Sequence, residues 1–504
     1  MKVLLIYPEY PATFWSFKHA LPFINKKVSL PPLGLLTVAS LIPAEWEKRL
    51  VDLNATELKD EDIMWSDYVF ISGMVVQRNS AKDVAKRAKE YGKFVVAGGP
   101  LFTNDYSDFE NVDCFVLNEG EVTIPLFLKD LERNTLKRIY SSEERPDLAL
   151  TPVPDWSLLN PKYYATMSMQ ISRGCPFNCD FCDIIIMNGR VPRLKSPDQV
   201  INEMDALYDY GWRGGVFIVD DNFIGNKKEA KEILGRIVEW MDIKGRPFTL
   251  LTEASINLAD DEKLMTLMQR ANFDSVFIGI ETPEEEALLS CGKLHNTKKD
   301  LVEKVKIIQR NGLEVQGGFI LGFDTDTSTT FDTMIKFIQK SGIVSAMVGL
   351  LHAIPETTLY KKLVEQDRII AIPTGDNTDF SLNFRPEMDI DALIAGYKKV
   401  LNTIFAPKYY NKRIITYLKE YRKLAVHTKM SLRMQIKALS KTIWKLGIKG
   451  RGQFHFWKLI IWTIFRKPSL ISEAVTHSIY GYHYRTVIFA NEKNHHARIR
   501  KLFD

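Results

Sequence analysis

Short apolar runs alternate with amphipathic stretches along the first 140 residues. Val3–Tyr7, Arg49–Leu53, Tyr68–Ser72, Phe94–Ala97 and Cys114–Leu117 are β-branched or aromatic in character and only four or five residues long, so they read as strands. Between them, Leu35–Leu41, Ser80–Tyr91 and Ile124–Arg133 carry apolar residues at helical spacing. Such βα alternation predicts an α/β domain over 1–140, built on an open, doubly wound, parallel sheet. Residues 141–164 read as a linker. From 165 to 360 the alternation resumes, with strands expected at Met167–Ile171, Val216–Val219, Phe248–Thr252, Val276–Ile280, Glu314–Ile320 and Ala346–Leu351. Six βα units predict a partial (β/α)6 barrel, and the remainder, 361–504, reads as mostly helical.

Charge divides the chain unevenly. The total is +5, yet residues 408–467 hold sixteen Lys or Arg and one acid, Glu420, so this stretch carries +15 and the rest about −10. Tyr409, Tyr410, Ile414, Tyr417, Leu418, Ile443, Trp444, Phe454, Phe456, Trp457, Ile460, Trp462 and Phe465 are interleaved with the bases. That mixture suits helices lying on an anionic membrane surface. A solvated basic face and a nucleic-acid surface are the alternatives, the last the weakest. No apolar run reaches 18 residues, so no transmembrane helix is expected. The N-terminus is apolar only as far as Pro8 and reads as a strand, not a signal peptide. Five cysteines are too few for a disulfide framework and point to a reducing, cytoplasmic setting, peripheral at the inner membrane surface if the basic segment docks there.

Three of those cysteines carry the chemistry. Cys175, Cys179 and Cys182 stand in Ser172-Arg-Gly-Cys-Pro-Phe-Asn-Cys-Asp-Phe-Cys182, a Cys-x3-Cys-x2-Cys triplet. Three thiolates can hold three irons of a [4Fe–4S] cluster and leave the fourth without a protein ligand. A zinc knuckle would call for a fourth Cys or His nearby, and no His lies between 128 and 294. Cys114 and Cys291 read as ordinary core residues. The cluster loop follows the first strand of the expected barrel, at the carboxyl end where barrel chemistry is sited. Later strand ends add Asp220-Asp221-Asn222, Glu253, Glu281 and His352 around the same mouth.

The cysteine spacing, with Phe181 before the last Cys, resembles the radical S-adenosylmethionine (SAM) superfamily. The resemblance implies that the open iron chelates SAM, whose reductive cleavage yields a 5′-deoxyadenosyl radical. It also implies that Asp220, Asp221, Asn222, Glu253 and Glu281 orient SAM, that backbone around Phe181 contacts its adenine, and that Gly317-Gly318 and Leu321-Gly322 leave room for it. In the first domain, Ser72-Gly73-Met74-Val75-Val76-Gln77, Gly98-Gly99-Pro100 and Glu119-Gly120-Glu121, together with Pro31-Pro-Leu-Gly34, resemble the Rossmann-like cobalamin-binding domain of many radical SAM enzymes. Gly-x-Gly-x-x-Gly is absent after the first strand, which argues against a nicotinamide site. Asp-x-His-x-x-Gly is absent too, so cobalamin would bind without a histidine on cobalt.

Tyr7-Pro-Glu-Tyr-Pro-Ala-Thr-Phe-Trp-Ser-Phe17, Asn383-Phe-Arg-Pro386 and Ile479-Tyr-Gly-Tyr-His-Tyr-Arg485 resemble the branch that contains the hopanoid C-2 methyltransferases. What this implies is a methyltransferase that abstracts hydrogen from an unactivated carbon of a hopanoid or other isoprenoid-like lipid and delivers a methyl group from methylcobalamin. An external electron donor of flavodoxin or ferredoxin type would supply the reducing equivalents. Two other outcomes stay open: lipid cyclisation, rearrangement or carbon–carbon coupling without methyl transfer, and modification of RNA or a peptide.

Overall fold

A computed structural model describes residues 1–297, 300–423, 432–450 and 452–503. The chain separates into two compact units: Met1–Ala12 with Lys26–Met169 and Arg193–Arg213, and Thr13–Asn25 with Gln170–Pro192 and Gly214–Asp504.

The first unit contains a six-stranded parallel sheet of β1 (Lys2–Tyr7), β2 (Glu47–Asp52), β3 (Tyr68–Ser72), β4 (Phe94–Gly98), β5 (Cys114–Val116) and β6 (Ile139–Tyr140), in the order β2-β1-β3-β4-β5-β6. Alternate side chains of each strand feed opposite cores. Leu4, Ile6, Val69, Ile71, Val95 and Ala97 pack with Ala81, Val84 and Ala88 of α2 (Arg78–Glu90). Val3, Leu5, Phe70, Val96 and Cys114 pack with Leu35 and Ala39 of α1 (Leu33–Leu41) and with Ile124, Phe127 and Leu131 of α3 (Gly120–Glu132). Both faces are therefore covered, as a doubly wound sheet requires. Two features differ from the sequence reading. β6 has only two residues, too few to show a pattern. α3 begins four residues before the expected Ile124, because Pro125 removes a single helical hydrogen bond while the apolar face runs on across it.

A short strand, β7 (Thr166–Met169), stands where the central region was expected to open. In the second unit β8 (Gly214–Ile218), β9 (Phe248–Glu253), β10 (Phe273–Glu281), β11 (Glu314–Leu321) and β12 (Ala346–Leu350) pair in parallel, each with the next. Helices α4 (Lys227–Lys244), α5 (Glu262–Arg270), α6 (Leu301–Arg310) and α7 (Thr330–Ser341) connect them. Along β10, Val276, Ile278 and Ile280 are fully buried, while Phe277 and Gly279 between them are less buried.

The C-terminal region comprises α8 (Ile390–Ile404), α9 (Pro407–Glu420), α10 (Leu432–Thr442), a π-helical stretch over Ile443–Ile448, α11 (Gln453–Arg466) and α12 (Ile471–Phe503). Its interior is aromatic. Thr13–Asn25 packs here, with Phe14 stacked on Tyr484 at 4.0 Å and the fully buried His483 bonded to Phe14 O at 3.0 Å. Burial pushes His483 down to about 4, so it is the neutral imidazole near pH 7. Arg413 is also fully buried; its guanidinium donates to Ile404 O at 2.9 Å and Val344 O at 3.1 Å and lies over the Tyr410 ring. Burial lowers it to about 10.

Gly481 of α12 is a close-approach point. A Cβ there would lie 2.3 Å from the ring of Tyr410, which is fully buried and held by its hydroxyl to His477 O at 2.9 Å. Replacing a helical glycine by alanine gains about 1 kcal/mol in propensity, whereas overpacking costs about 1–3 kcal/mol. Because the ring cannot withdraw, packing wins. Gly481→Ala is expected to destabilise the protein by about 1–2 kcal/mol in denaturant unfolding.

Candidate active site

The cluster loop is held from two sides. Gly174 sits at φ +99°, and a Cβ on it would lie 2.8 Å from Gly189 O. Cys175 N–H donates to that same oxygen at 3.2 Å, and Cys182 N–H to Cys179 O at 3.1 Å. At the end of β8, Asp220 accepts from Ile171 N–H at 2.7 Å and from the Ser172 hydroxyl at 2.8 Å. Asp221 accepts from Gly174 N–H and from the Asn188 amide, each at 2.9 Å. Both aspartates thus fasten the segment that leads into Cys175, and Asp221 also holds the Asn188 side chain beyond the loop. Asp220 is buried, which raises it to about 7 against the pull of these hydrogen bonds.

A second wall was not expected from the sequence. Asp180 N–H donates to Cys291 O at 3.0 Å, and a Cβ on Gly292 would lie 2.7 Å from Asn178 O. The Phe177 ring stacks on His295 at 3.6 Å. Lys293 is buried and ion-paired with Glu281, and its charge acts on Cys179 and Cys182. Burial raises Cys179 to about 11, opposed chiefly by Lys293, and Cys182 to about 12. Ligation by thiolate must therefore displace protons here. The only hint in the sequence was Lys293 following Cys291-Gly292, which no motif distinguishes.

Asn222 lies between the loop and the next strand, its amide donating towards Cys175 Sγ at 3.8 Å and the Ser255 hydroxyl at 3.4 Å. Its carbonyl oxygen is buried without a hydrogen-bond partner in the structure. Such an acceptor calls for a donor from a bound group. Glu253 ends β9 partly buried, and burial with the charges of Asp221 and Asp220 raises it to about 8. Glu281 ends β10 with φ +64°, after a break in register with β11. Gly279 and Gly318 pair across β10 and β11; a Cβ on the first would meet Glu281 and Lys293, and on the second the Phe277 ring at 2.8 Å. Gly322 has φ +105° and donates to Asp326 at 2.7 Å. The Phe181 side chain packs with Phe323, Leu351 and Phe384. His352 bonds to Ser381 O at 3.0 Å. Trp15 stands edge-on to Phe277 at 5.4 Å and donates towards Met347 Sδ, adding an aromatic wall from near the start of the chain.

Among the described residues no three His, Cys, Asp or Glu side chains converge on a single metal-ion position. A [4Fe–4S] cluster asks for one thiolate per iron, on separate corners, and three cysteines on one pinned loop fit that demand.

In the first unit, the expected loops follow β3, β4 and β5. Met74, 46% exposed, tips the turn Val75–Gln77, and the buried Gln77 side chain accepts from Met74 N–H at 2.7 Å and donates to Pro8 O. Gly98 and Gly99 are required by close approach within the unit: a Cβ on Gly98 would lie 2.4 Å from Val116 O, and on Gly99 2.3 Å from Ser72 Oγ. Pro100 opens a short helix, and Leu101 N–H donates to Gly73 O at 3.0 Å. Glu119 takes both arms of Arg193, while Glu121 accepts from the Thr151 hydroxyl at 2.7 Å. These carboxylates tie later chain segments to the sheet, and Gly120 starts α3 between them. A cavity of about 840 Å³ opens beyond β1, β2 and β3, with Glu9, Asn54, Thr56 and Ser80 among its lining and no residue of these three loops in it. No histidine occurs anywhere in this unit's sequence, in keeping with the missing Asp-x-His-x-x-Gly.

Two outcomes test this geometry. Gly174→Ala forces a side chain into a left-handed position against Gly189 O, a cost of about 1–3 kcal/mol; iron bound per chain after anaerobic reconstitution should fall clearly below the parent. Glu253 is ordinarily half-protonated near 4.5 but near 8 in the folded protein, so the native state keeps its proton while the unfolded chain releases it. Stability should decline as pH rises from about 4.5 to about 8. Glu253→Gln removes that decline: equal to the parent at acid pH, it should be about 1–3 kcal/mol more stable in thermal unfolding above the folded value.

The radical SAM superfamily profile matches residues 169–338, and a domain of unknown function, DUF4070, matches 357–497. The chain is 39% identical to an uncharacterized methyltransferase of Synechocystis, over 97% of this chain and 92% of that protein. It is 33% identical to the hopanoid C-2 methylase of Rhodopseudomonas palustris, over 99% and 97%. Among solved structures, the cobalamin-dependent SAM radical enzyme OxsB aligns with a TM-score of 0.64 at 14% identity, over 100% of this chain and 81% of OxsB. The radical SAM methyltransferase TsrM from Kitasatospora setae aligns at 0.57 with 15% identity, over 72% and 76%. With its cysteine loop, its near full-length likeness to the hopanoid C-2 methylase and a fold shared with the cobalamin-dependent members, the chain belongs to the radical SAM superfamily, in the methyltransferase branch.

Proposed function

We propose that this enzyme transfers a methyl group to an unactivated carbon of a lipid, of hopanoid or other isoprenoid type, with cobalamin as a second cofactor. One observation carries the reading: 33% identity with a hopanoid C-2 methylase over 99% of the chain. When bound, the cluster with SAM supplies a hydrogen-abstracting radical, and cobalamin supplies the methyl group. An external electron donor completes the requirements.

In this reading Cys175, Cys179 and Cys182 hold the cluster. The unpartnered Asn222 carbonyl receives the SAM ammonium, and Glu253 and Glu281 receive its ribose hydroxyls. Glu281 enters that role already fixed by Lys293, so little ordering entropy remains to be lost on binding. Gly279 and Gly318 make room for Glu281, Lys293 and the Phe277 ring, and these side chains form the surface that a flat ring would approach. Trp15, Phe277 and Met347 supply apolar wall, which excludes water from a reactive carbon centre. In the first unit, Ser72–Gln77, Gly98–Pro100 and Glu119–Glu121 carry cobalamin at the carboxyl ends of the strands. The cavity beside β1 and β3, where strand order reverses, takes its polar tail. The basic C-terminal region brings the protein to the membrane in which such a substrate dissolves.

The test is anaerobic. Protein reconstituted with iron, sulfide and cobalamin receives methyl-deuterated SAM, a reductant and a cellular lipid extract, with Cys179→Ala as control. The expected result is 5′-deoxyadenosine together with a lipid that gains CD3 in place of hydrogen, both absent from the control. A lipid that loses hydrogen without label would replace methylation by cyclisation or coupling. Deoxyadenosine with unchanged lipids would overturn the lipid assignment.

A further inference from the structure

The basic C-terminal region does not present its aromatic residues alike. Tyr410, Ile414, Tyr417 and Leu418 of α9 and Phe456, Leu459 and Ile460 of α11 are buried. On the other side of α11, Phe454, Ile461, Ile464 and Phe465 are 73%, 52%, 51% and 81% exposed, and Trp457 is 36% exposed. These five recur at spacings of three and four and form one stripe. α11 is thus apolar on two opposed faces, one seated in the core and one open.

Such a stripe is rare on a monomer's surface and marks a contact. Charge chooses the partner. Between Glu420 and Glu473 there is no acidic residue, and Glu420 itself is paired with Arg310 and Lys306. Lys458 and Arg466 of α11 are exposed, as are Lys445 and Lys449 before it. A second copy of the chain would bring a like-charged segment to the contact. Nucleic acid would use the bases but leaves no use for isoleucine at two central positions. An anionic bilayer satisfies both: headgroup charge for the bases, acyl chains for the stripe. The helix has 14 residues, about 21 Å, and no helix of the described residues is long and apolar enough to cross a membrane. It therefore lies along the surface. Trp457, whose indole N–H donates to Gly447 O at 3.0 Å, suits the polar–apolar boundary.

We infer that α11 is an interfacial helix that seats Phe454, Trp457, Ile461, Ile464 and Phe465 in the headgroup–acyl boundary of an anionic membrane. The inference rests on the lipid-substrate reading for its purpose, but its test does not.

Full-length reconstituted protein would be sedimented with phosphatidylcholine vesicles, either pure or containing about one-third phosphatidylglycerol. Three proteins enter: the parent, the variant Phe454→Gln/Ile461→Gln/Phe465→Gln, and Lys458→Gln/Arg466→Gln. All substitutions are at exposed positions, so 5′-deoxyadenosine formation from SAM should match the parent in each. The parent should bind the anionic vesicles and bind the neutral ones weakly. The stripe variant should lose binding by about tenfold or more, and the charge variant should lose severalfold on anionic vesicles alone. Stripe-variant binding equal to the parent would overturn the inference. So would a stripe variant that turns a dimeric parent monomeric in gel filtration, or a parent that prefers RNA to vesicles. Methyl transfer to detergent-dispersed lipid is read separately. If it fails while stripe-dependent binding holds, only the lipid-substrate reading falls; if it succeeds without such binding, only this inference falls.

Discussion

Everything at the mouth of the second unit depends on two carboxylates spent on backbone. Asp220 and Asp221 end β8 and accept hydrogen bonds from Ile171, Ser172 and Gly174, so the loop bearing Cys175, Cys179 and Cys182 hangs from the neighbouring strand. A buried carboxylate is costly without such donors, and donors on a free loop have no reason to stay put without the carboxylate. Each stabilises the other. The loop's far side is closed by Cys291, Gly292 and His295, which grip Asp180, Asn178 and Phe177. A cluster bound there would sit between two walls held by contacts within the protein. Burial raises two of the thiols there, Cys179 and Cys182, so ligation has to displace their protons.

The same economy appears in the first unit. Gly98 and Gly99 look like ligand-cradling glycines, yet both are already demanded by Val116 O and Ser72 Oγ. Glu119 and Glu121 look like ligand contacts, yet they hold Arg193 and Thr151. These residues shape the carboxyl edge of the sheet by bonding to the protein itself. A ligand there would rest on the resulting surface, with backbone and apolar groups such as Met74 nearest to it.

Two stretches that mark the methylase branch, one near the start of the chain and one near its end, meet in the second unit. Phe14 stacks on Tyr484 and bonds to His483, and the adjoining Trp15 reaches Phe277 and Met347 of the central strands. The N-terminal segment is therefore part of the structure that surrounds the central strands.

Sequence by itself determined the elements and the core chemistry. Short apolar runs between stretches of helical period located five strands of the first sheet and six of the central region to within a few residues, because burial on both faces leaves a strong apolar signal. The cysteine triplet declared its chemistry because thiolate ligation depends on local spacing alone. Tertiary structure decided what depends on contacts far apart in the chain. It gave Asp220 and Asp221 to the cluster loop, brought Lys293 to Glu281, and set Trp15 against β10. It also divided the basic, aromatic C-terminal region, burying Tyr410, Tyr417 and Phe456 and leaving Phe454, Ile461 and Phe465 open. Composition records that aromatic residues are present, but only packing against α9 and α12 selects which side of α11 faces inward. A two-residue strand such as β6 likewise exists only because β5 offers it an edge. Local pattern is written in the residues; pairing across long separations is settled by the burial that folding achieves.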